Sequence, residues 1–165
     1  MQSIRLNYRR LAFNDAPFLI ELLNSKGWLE NIGDRGVRNT EQAEAYLRDR
    51  IYPTCDTPWS GPYLMQIKHT SEPIGTIGIY VRPGLDIPDL GFALLPQYFR
   101  KGFATEAANW AIALAQQYKV PGLSAIALPS NEASVNLLEK LGFEPKRMVK
   151  LPNDDAELQY FERNL

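Results

Sequence analysis

The stretch LGFALLPQYFRKGFATEAANWAIALAQ, residues 90–116, places an apolar strand before an alanine-rich helix and joins the two with a short basic turn. The apolar residues of the strand alternate along the chain, as Leu90, Phe92 and Leu94, before Pro96 ends the strand. The helix is predicted over residues 103–118, and one of its faces carries a stripe of small residues: Ala104, Ala108, Ala111 and Ala115. This stripe predicts a helix that packs closely on the sheet.

The turn between strand and helix carries positive charge and a glycine: Arg100, Lys101, Gly102, Phe103 and Ala104. The start of a helix exposes unpaired N–H groups and the positive end of the helix dipole, so an anion such as a phosphate is favoured there. Gly102 would let such a ligand approach the backbone closely. The plainer interpretation is a solvated turn whose glycine serves only the turn geometry. A Walker loop is excluded because Lys101 precedes the glycine.

Composition indicates an ordinary globular protein, and we expect one domain over residues 1–165. The chain has 18 Lys and Arg residues against 19 Asp and Glu, a net charge of -1, so it has no overall basic field for nucleic acid. Cys55 and His69 are the only residues of their types, too few for a zinc site, and we expect no metal. With no long apolar run and no signal-peptide pattern, we expect a cytoplasmic protein without membrane contact.

The rest of the chain predicts a mixed α/β order. An opening strand alternates through Ile4, Leu6 and Tyr8. Helices are expected over residues 17–24, capped by Asn14 or Asp15, and after Thr40, with a long polar loop over residues 26–39 between them. An antiparallel hairpin is indicated by two alternating runs: Tyr63, Met65, Ile67 and Ile77, Ile79, Val81. A strand over 123–128, a helix over 131–141 and two strands over 143–151 and 157–161 complete the chain.

Two segments, LPQYFRKGFATEA and NEASVNLLEKLGF, resemble the acetyl-coenzyme A binding core of the GNAT superfamily of N-acetyltransferases. The similarity is greatest to the branch that acetylates the N-termini of ribosomal proteins, and IRLNYRRLAFNDAPFLIELLN resembles the opening of that branch. In the family, the turn that binds the pyrophosphate has the sequence motif Q/R-x-x-G-x-G/A. Residues 99–104 match this motif, with Phe99 in place of the usual polar residue. The resemblance implies a mostly antiparallel sheet of about six or seven strands, flanked by about four helices.

The resemblance also implies how acetyl-coenzyme A binds as the co-substrate. Its pyrophosphate would lie on the turn, against Arg100, Lys101, Gly102, Phe103, Ala104 and Thr105. Its pantetheine arm would extend along the open edge of the strand, next to the backbone of Phe92, Leu94 and Leu95. Asn131 is favoured as a helix N-cap, and in the family this position also hydrogen-bonds near the pantetheine.

Acetyl transfer to an amine requires a neutral amine, a polarised carbonyl and a stabilised thiolate. In the branch that this chain resembles, Ser134 corresponds to a serine that serves the coenzyme A sulfur, whereas other branches use a tyrosine at the position of Leu138. The oxyanion is expected at a backbone N–H at the Leu94–Leu95 strand end. Histone-acetylating relatives carry a glutamate at the position of Pro88, so the candidate base here is Asp89 acting through water, or water alone.

The loop over residues 26–39 is longer than an ordinary connection, and its Asp34 and Arg35 are candidates for the side that binds the acceptor. Two classes of function remain open. One is an N-acetyltransferase that acts on a primary amine, either a peptide α-amine or a small molecule such as a polyamine, amino acid or antibiotic. The other is a catalytically silent acyl-coenzyme A binding or sensing module. We expect a monomer or a homodimer.

Overall fold

The computed structural model describes residues 1–152 and 155–165. Its strands are β1 Leu6–Arg9, β2 Gly61–Ile67, β3 Pro73–Tyr80, β4 Asp89–Leu94, β5 Gly122–Ala127, β6 Glu144–Val149 and β7 Leu158–Asn164. Its α-helices are α1 Ala16–Leu23, α2 Lys26–Asn31, α3 Thr40–Tyr46, α4 Phe103–Gln117 and α5 Glu132–Lys140. A π-helical turn, Leu47–Ile51, extends α3.

The seven strands form one sheet in the order β1-β2-β3-β4-β5-β7-β6. Every neighbouring pair is antiparallel except β4 and β5, which are parallel. The prediction of a mixed, mostly antiparallel sheet is therefore confirmed. The described residues hold five α-helices where about four were expected, and the additional one is α2.

The prediction of an unbroken loop over residues 26–39 is wrong at its beginning, where α2 forms. Ser25 caps this helix, because its hydroxyl oxygen accepts a hydrogen bond from the backbone N–H of Trp28 at 3.4 Å. Trp28 also packs on the hydrophobic core. The Ser25 cap and the packing of Trp28 thus stabilise a helix in a segment that was predicted as a loop from its polar composition.

Helix α4 packs on one face of the sheet through the alanine stripe and an aromatic stack. Ala108, Ala111 and Ala115 are buried, which confirms the close approach that their spacing predicts. The ring of Trp110 stacks on Tyr8 of β1 with a centroid distance of 3.8 Å, and the edge of Tyr63 from β2 contacts it. This packing fixes the N-terminus of α4 relative to the end of β4.

Some predicted details differ at the ends of elements. Ile4 and Val81 lie outside the strands and are exposed, because β1 begins at Leu6 and β3 ends at Tyr80. Asp15 does not cap α1 with its side chain; its carboxylate accepts hydrogen bonds from Arg9 and from the backbone N–H of Ala12. Within the described parts of the chain, no helix is long and apolar enough to cross a membrane.

Candidate active site

Strands β4 and β5 separate from one another, which leaves a gap in the middle of the sheet. Their parallel register contains a single pair, Asp89 opposite Ser124, where the N–H of Ser124 donates to the carbonyl of Pro88 at 2.8 Å. On its other side β4 pairs with β3 along its whole length, from Asp89 to Leu94. The gap therefore opens along β4 beyond Asp89.

The direction of the backbone groups along β4 follows from the hydrogen bonds at its two ends. The N–H of Leu95 donates to the carbonyl of Ile74 in β3 at 2.9 Å, whereas the carbonyl of Pro88 points to β5. Because successive residues of a strand direct these groups to opposite sides, the N–H and C=O groups of Phe92 and Leu94 face the gap. Of the two residues expected at the oxyanion, Leu94 has the N–H that faces the gap, while that of Leu95 is bound within the sheet.

The turn between β4 and α4 forms an open helix start. Gly102 occupies the N-cap position of α4 with φ of 78°, a left-handed conformation that favours glycine, and has no side chain to cap the first N–H groups. Arg100 also adopts a positive φ of 58°, and both Arg100 and Lys101 are exposed. The N–H groups at the start of α4, over Phe103, Ala104 and Thr105, are therefore available to an anion.

Phe99, which replaces the usual polar residue of the motif, packs on helix α2. A Cβ built at Gly27 would lie 2.9 Å from the Cζ atom of the Phe99 ring, so the ring lies directly on the backbone of this helix. The substitution thus ties the basic turn to α2, which precedes the loop that carries Asp34 and Arg35.

Asp89, the candidate base, is buried at the start of β4. Its residue is 1% exposed, and its Oδ1 accepts from Nε of Arg82 at 2.6 Å. Within the described residues its Oδ2 is buried without a hydrogen-bond partner. Burial raises the pKa of Asp89 from 3.8 to about 6, although the charge and hydrogen bond of Arg82 act to lower it. This carboxylate, at the point where β4 and β5 separate, can therefore exchange a proton near neutral pH.

Tyr80 and Arg82 cover the same face of β4, and no sequence pattern distinguishes them as site residues. Tyr80 is the cross-strand partner of Asp89, and the guanidinium of Arg82 lies over the Tyr80 ring at 4.6 Å. A Cβ at Gly91 would lie 3.0 Å from the Tyr80 ring and 3.6 Å from Nη2 of Arg82. Burial raises the pKa of Tyr80 well above its usual value. The absence of a side chain at Gly91 makes room for both groups.

The two candidate residues at the start of α5 lie one turn apart. Asn131 caps the helix, as its residue type predicts, because its side-chain oxygen accepts from the N–H of Ser134 at 3.2 Å. Ser134 is half-buried, and its hydroxyl has no hydrogen-bond partner in the parts of the chain that the structure describes. Leu138, at the position of the family's tyrosine, is buried in the core.

Asp34 and Arg35 lie in the loop between α2 and α3, and they have different surroundings. Asp34 is exposed and bound to Arg38, with 2.5 Å between its Oδ2 and Nη2 of the arginine. Arg35 instead interacts with Tyr46 at the end of α3; burial raises the pKa of this tyrosine, while the charges of Arg35 and Arg82 oppose the rise. The charges of Arg35, from this loop, and of Arg82, the partner of Asp89, therefore act on the same tyrosine.

A comparison with protein families places the chain among known acetyltransferases. The model of the acetyltransferase (GNAT) domain matches residues 5–144. YoaA of Bacillus subtilis (strain 168), described as an uncharacterized N-acetyltransferase, is 31% identical over 157 residues, which cover 91% of this chain and 85% of YoaA. The chain therefore belongs to the GNAT acetyltransferase family, whose members are acyl-coenzyme A-dependent N-acetyltransferases.

Solved structures of two other acetyltransferases share the fold over nearly the whole chain. RimL, a ribosomal-protein α-N-acetyltransferase solved with coenzyme A, superimposes with a TM-score of 0.82 at 14% identity, covering 99% of this chain and 96% of RimL. Spermidine N-acetyltransferase of Vibrio cholerae, solved with coenzyme A and spermine, superimposes with a TM-score of 0.78 at 14% identity, covering 97% of this chain and 95% of the spermidine enzyme. At these identities the likeness establishes the fold and leaves the acceptor open.

Proposed function

We propose that this protein transfers an acetyl group from acetyl-coenzyme A directly to a weakly basic primary amine, with a peptide N-terminal α-amine as the preferred class. The observation that carries the proposal is the gap between β4 and β5, which has the turn at Gly102 at one end and the carboxylate of Asp89 at the other. A linear acyl-coenzyme A fits such a site, with its phosphates at the turn and its acyl end directed along β4 toward Asp89.

The cofactor would be held mainly by backbone groups. The N–H groups at the start of α4, over Phe103, Ala104 and Thr105, would bind the pyrophosphate, and the exposed side chains of Arg100 and Lys101 would add charge. The pantetheine amides would pair with the N–H and C=O groups of β4 that face the gap, as an added strand does at a sheet edge. Asn131 would contribute from the opposite side of the gap.

The reaction needs stabilisation of two developing negative charges. When the amine attacks, the carbonyl oxygen gains charge, and the N–H of Leu94 is the donor directed into the gap. When the C–S bond breaks, the sulfur leaves as a thiolate, and the unpartnered hydroxyl of Ser134 is the proposed donor of a hydrogen bond to that sulfur. The amine nitrogen forms the new bond to the acetyl carbon and releases its proton.

Asp89 is the proposed acceptor of that proton, through a relay of water molecules, because it lies five residues along β4 from Leu94, about 16 Å. Its pKa of about 6 leaves it ionised at neutral pH, and its Oδ2 has no protein partner among the described residues. A base of this strength suits an α-amine, with a pKa of about 7.7 to 8.0, better than a lysine side chain near 10.4. The preference for a weakly basic amine follows from this match.

The test is an acetyl-transfer assay with a panel of amines. The panel contains a short peptide with a free α-amine, its N-blocked lysine-containing counterpart, spermidine and a free amino acid. Thiol release from acetyl-coenzyme A that depends on the amine, together with mass spectrometry of the acetylated product, is the expected result. Cofactor binding without acetylation of any amine would contradict the proposal and support the silent binding module.

A further inference from the structure

Arg5, in the segment before β1, lies on the turn that precedes α4. Its Nη1 donates to the carbonyl of Lys101 at 2.9 Å, and its guanidinium lies over the ring of Phe103 at 4.4 Å. Its Nε donates to Oε2 of Glu106 at 2.7 Å. A single side chain from the start of the chain thus contacts three residues of the cofactor turn and helix start.

Glu106 would be unfavourable beside a pyrophosphate if its charge were not compensated. It lies in the first turn of α4, where the phosphates would be bound. Its Oε1 accepts from the hydroxyl of Ser3 and from the backbone N–H of Arg5, both at 2.6 Å, in addition to the bond from Nε of Arg5 to Oε2. Although burial acts to raise the pKa of Glu106, these hydrogen bonds outweigh it and hold the pKa below its usual value. The carboxylate therefore stays ionised and anchors the arginine.

The remaining nitrogen of Arg5 points to the open side of the turn. A Cβ built at Gly102 would lie 3.3 Å from Nη2, so this nitrogen borders the space that the missing side chain leaves. In the parts of the chain that the structure describes, Nη2 has no hydrogen-bond partner. A phosphate oxygen that approaches the backbone of Gly102 comes within hydrogen-bonding distance of it.

We propose that Arg5 is a phosphate-binding residue of the cofactor site, which reaches the pyrophosphate of coenzyme A from the N-terminal segment and is positioned by Glu106. The inference rests on the proposed function, because it requires coenzyme A on the turn. Arg5 supplies a guanidinium whose Nε and Nη1 are fixed by protein groups, so Nη2 is oriented before the ligand arrives.

The experiment compares Arg5→Met, Arg5→Lys and the wild type. Methionine retains an unbranched side chain over Phe103 without the charge, and Arg48→Met is the control, because Arg48 is an exposed arginine whose partner is Asp49. Calorimetry measures the affinity for coenzyme A and for 3′-dephospho-coenzyme A. Steady-state kinetics measure kcat/KM with acetyl-coenzyme A and with acetyl-pantetheine, which has no pyrophosphate.

We expect Arg5→Met to weaken the binding of coenzyme A and of 3′-dephospho-coenzyme A equally, by about tenfold to a hundredfold, because each loses one charge-assisted hydrogen bond. Arg5→Lys should recover part of the affinity, and kcat/KM with acetyl-pantetheine should not change. Unchanged affinity in Arg5→Met would overturn the proposal. An equal loss of kcat/KM with acetyl-coenzyme A and with acetyl-pantetheine would also overturn it, because it would indicate a structural role for Arg5. A loss confined to coenzyme A would place the contact at the 3′-phosphate and overturn the assignment to the pyrophosphate. A wild type that binds no coenzyme A would instead refute the proposed function.

Discussion

Replacing Asp89 by asparagine should stabilise the protein at neutral pH, because the buried carboxylate is unfavourable when it is ionised. The pKa of this group is 3.8 without burial and about 6 in the folded chain. At 1.36 kcal/mol per pH unit, the difference corresponds to about 3 kcal/mol of folding free energy lost once the group is fully ionised. The favourable pairing with Arg82 is already contained in this value.

The sign of the pH dependence follows from the raised pKa. Below about pH 3 the carboxyl is protonated in both the folded and the unfolded chain, so Asp89→Asn should have little effect on stability. Between about pH 4 and pH 6 the folded chain binds more protons than the unfolded chain, and the wild type loses stability as the pH rises. Above about pH 7 the advantage of Asp89→Asn should reach its full value of about 3 kcal/mol.

Urea unfolding of both proteins from about pH 4.5 to pH 8 measures this difference. Asp86→Asn is the matched control, because Asp86 is an exposed aspartate of the same loop, paired with Arg147 at 2.6 Å. An exposed pair contributes up to about 1 kcal/mol, so the control should change little across the range. An advantage of Asp89→Asn that is the same at both ends of the pH range would refute the reasoning about a buried, raised-pKa carboxylate.

Three further predictions concern catalysis and cofactor binding. If Asp89 is the base, the wild-type kcat/KM should fall below about pH 6 more steeply than protonation of the amine explains, and Asp89→Asn should lack this additional fall. A wild-type pH profile that ionisation of the amine explains alone would exclude Asp89 as the base. Gly102→Val should weaken coenzyme A binding at least tenfold in calorimetry. Gly142 has a similar φ of 80°, so Gly142→Val should lower the stability by about 1–2 kcal/mol without changing the affinity for coenzyme A, and equal affinities of the two variants would contradict the turn assignment. Ser134→Ala should lower turnover about tenfold to a thousandfold with affinity kept, and Ser130→Ala should not; unchanged turnover under chemistry-limited conditions would remove Ser134 from the mechanism.

The part of the site that lies within one continuous stretch could be predicted from the sequence. The strand before Leu95, the turn at Gly102 and the alanine stripe of α4 are all local patterns, and the structure has them where the sequence places them. The cap at Asn131 is equally local, because it depends on a residue three positions away. The roles of these residues toward coenzyme A remain predictions that rest on the family.

The environment of Asp89 could not be predicted, because it depends on residues from separate strands. Burial of this aspartate requires Tyr80 and Arg82 from the end of β3 and Ser124 from β5, and the order of strands in the sheet decides that they meet. A carboxylate in a loop rich in proline and glycine is usually solvated, as Asp86 is. The signal that could have distinguished the two aspartates is the start of the strand between them.

The contact of Arg5 with Glu106 joins residues 101 positions apart in the sequence. It arises because β1 lies at one edge of the sheet, with Tyr8 stacked on Trp110 of α4, so the segment before β1 reaches the start of that helix. The short helix α2 was missed for a different reason. Three of its six residues are polar, and its stability comes from the Ser25 cap and the packing of Trp28.

The most direct test of the central claim is a comparison of kcat/KM from pH 6 to pH 9 for a peptide with a free α-amine and for its N-blocked, lysine-containing counterpart. At pH 7 roughly 10 to 17% of an α-amine is neutral, against about 0.04% of a lysine side chain. We predict that the α-amine peptide is preferred by at least a hundredfold at pH 7, and that the ratio narrows as the pH rises. A preference for the lysine peptide near pH 7 would contradict a weakly basic acceptor and the assignment of Asp89 as a base with a pKa of about 6.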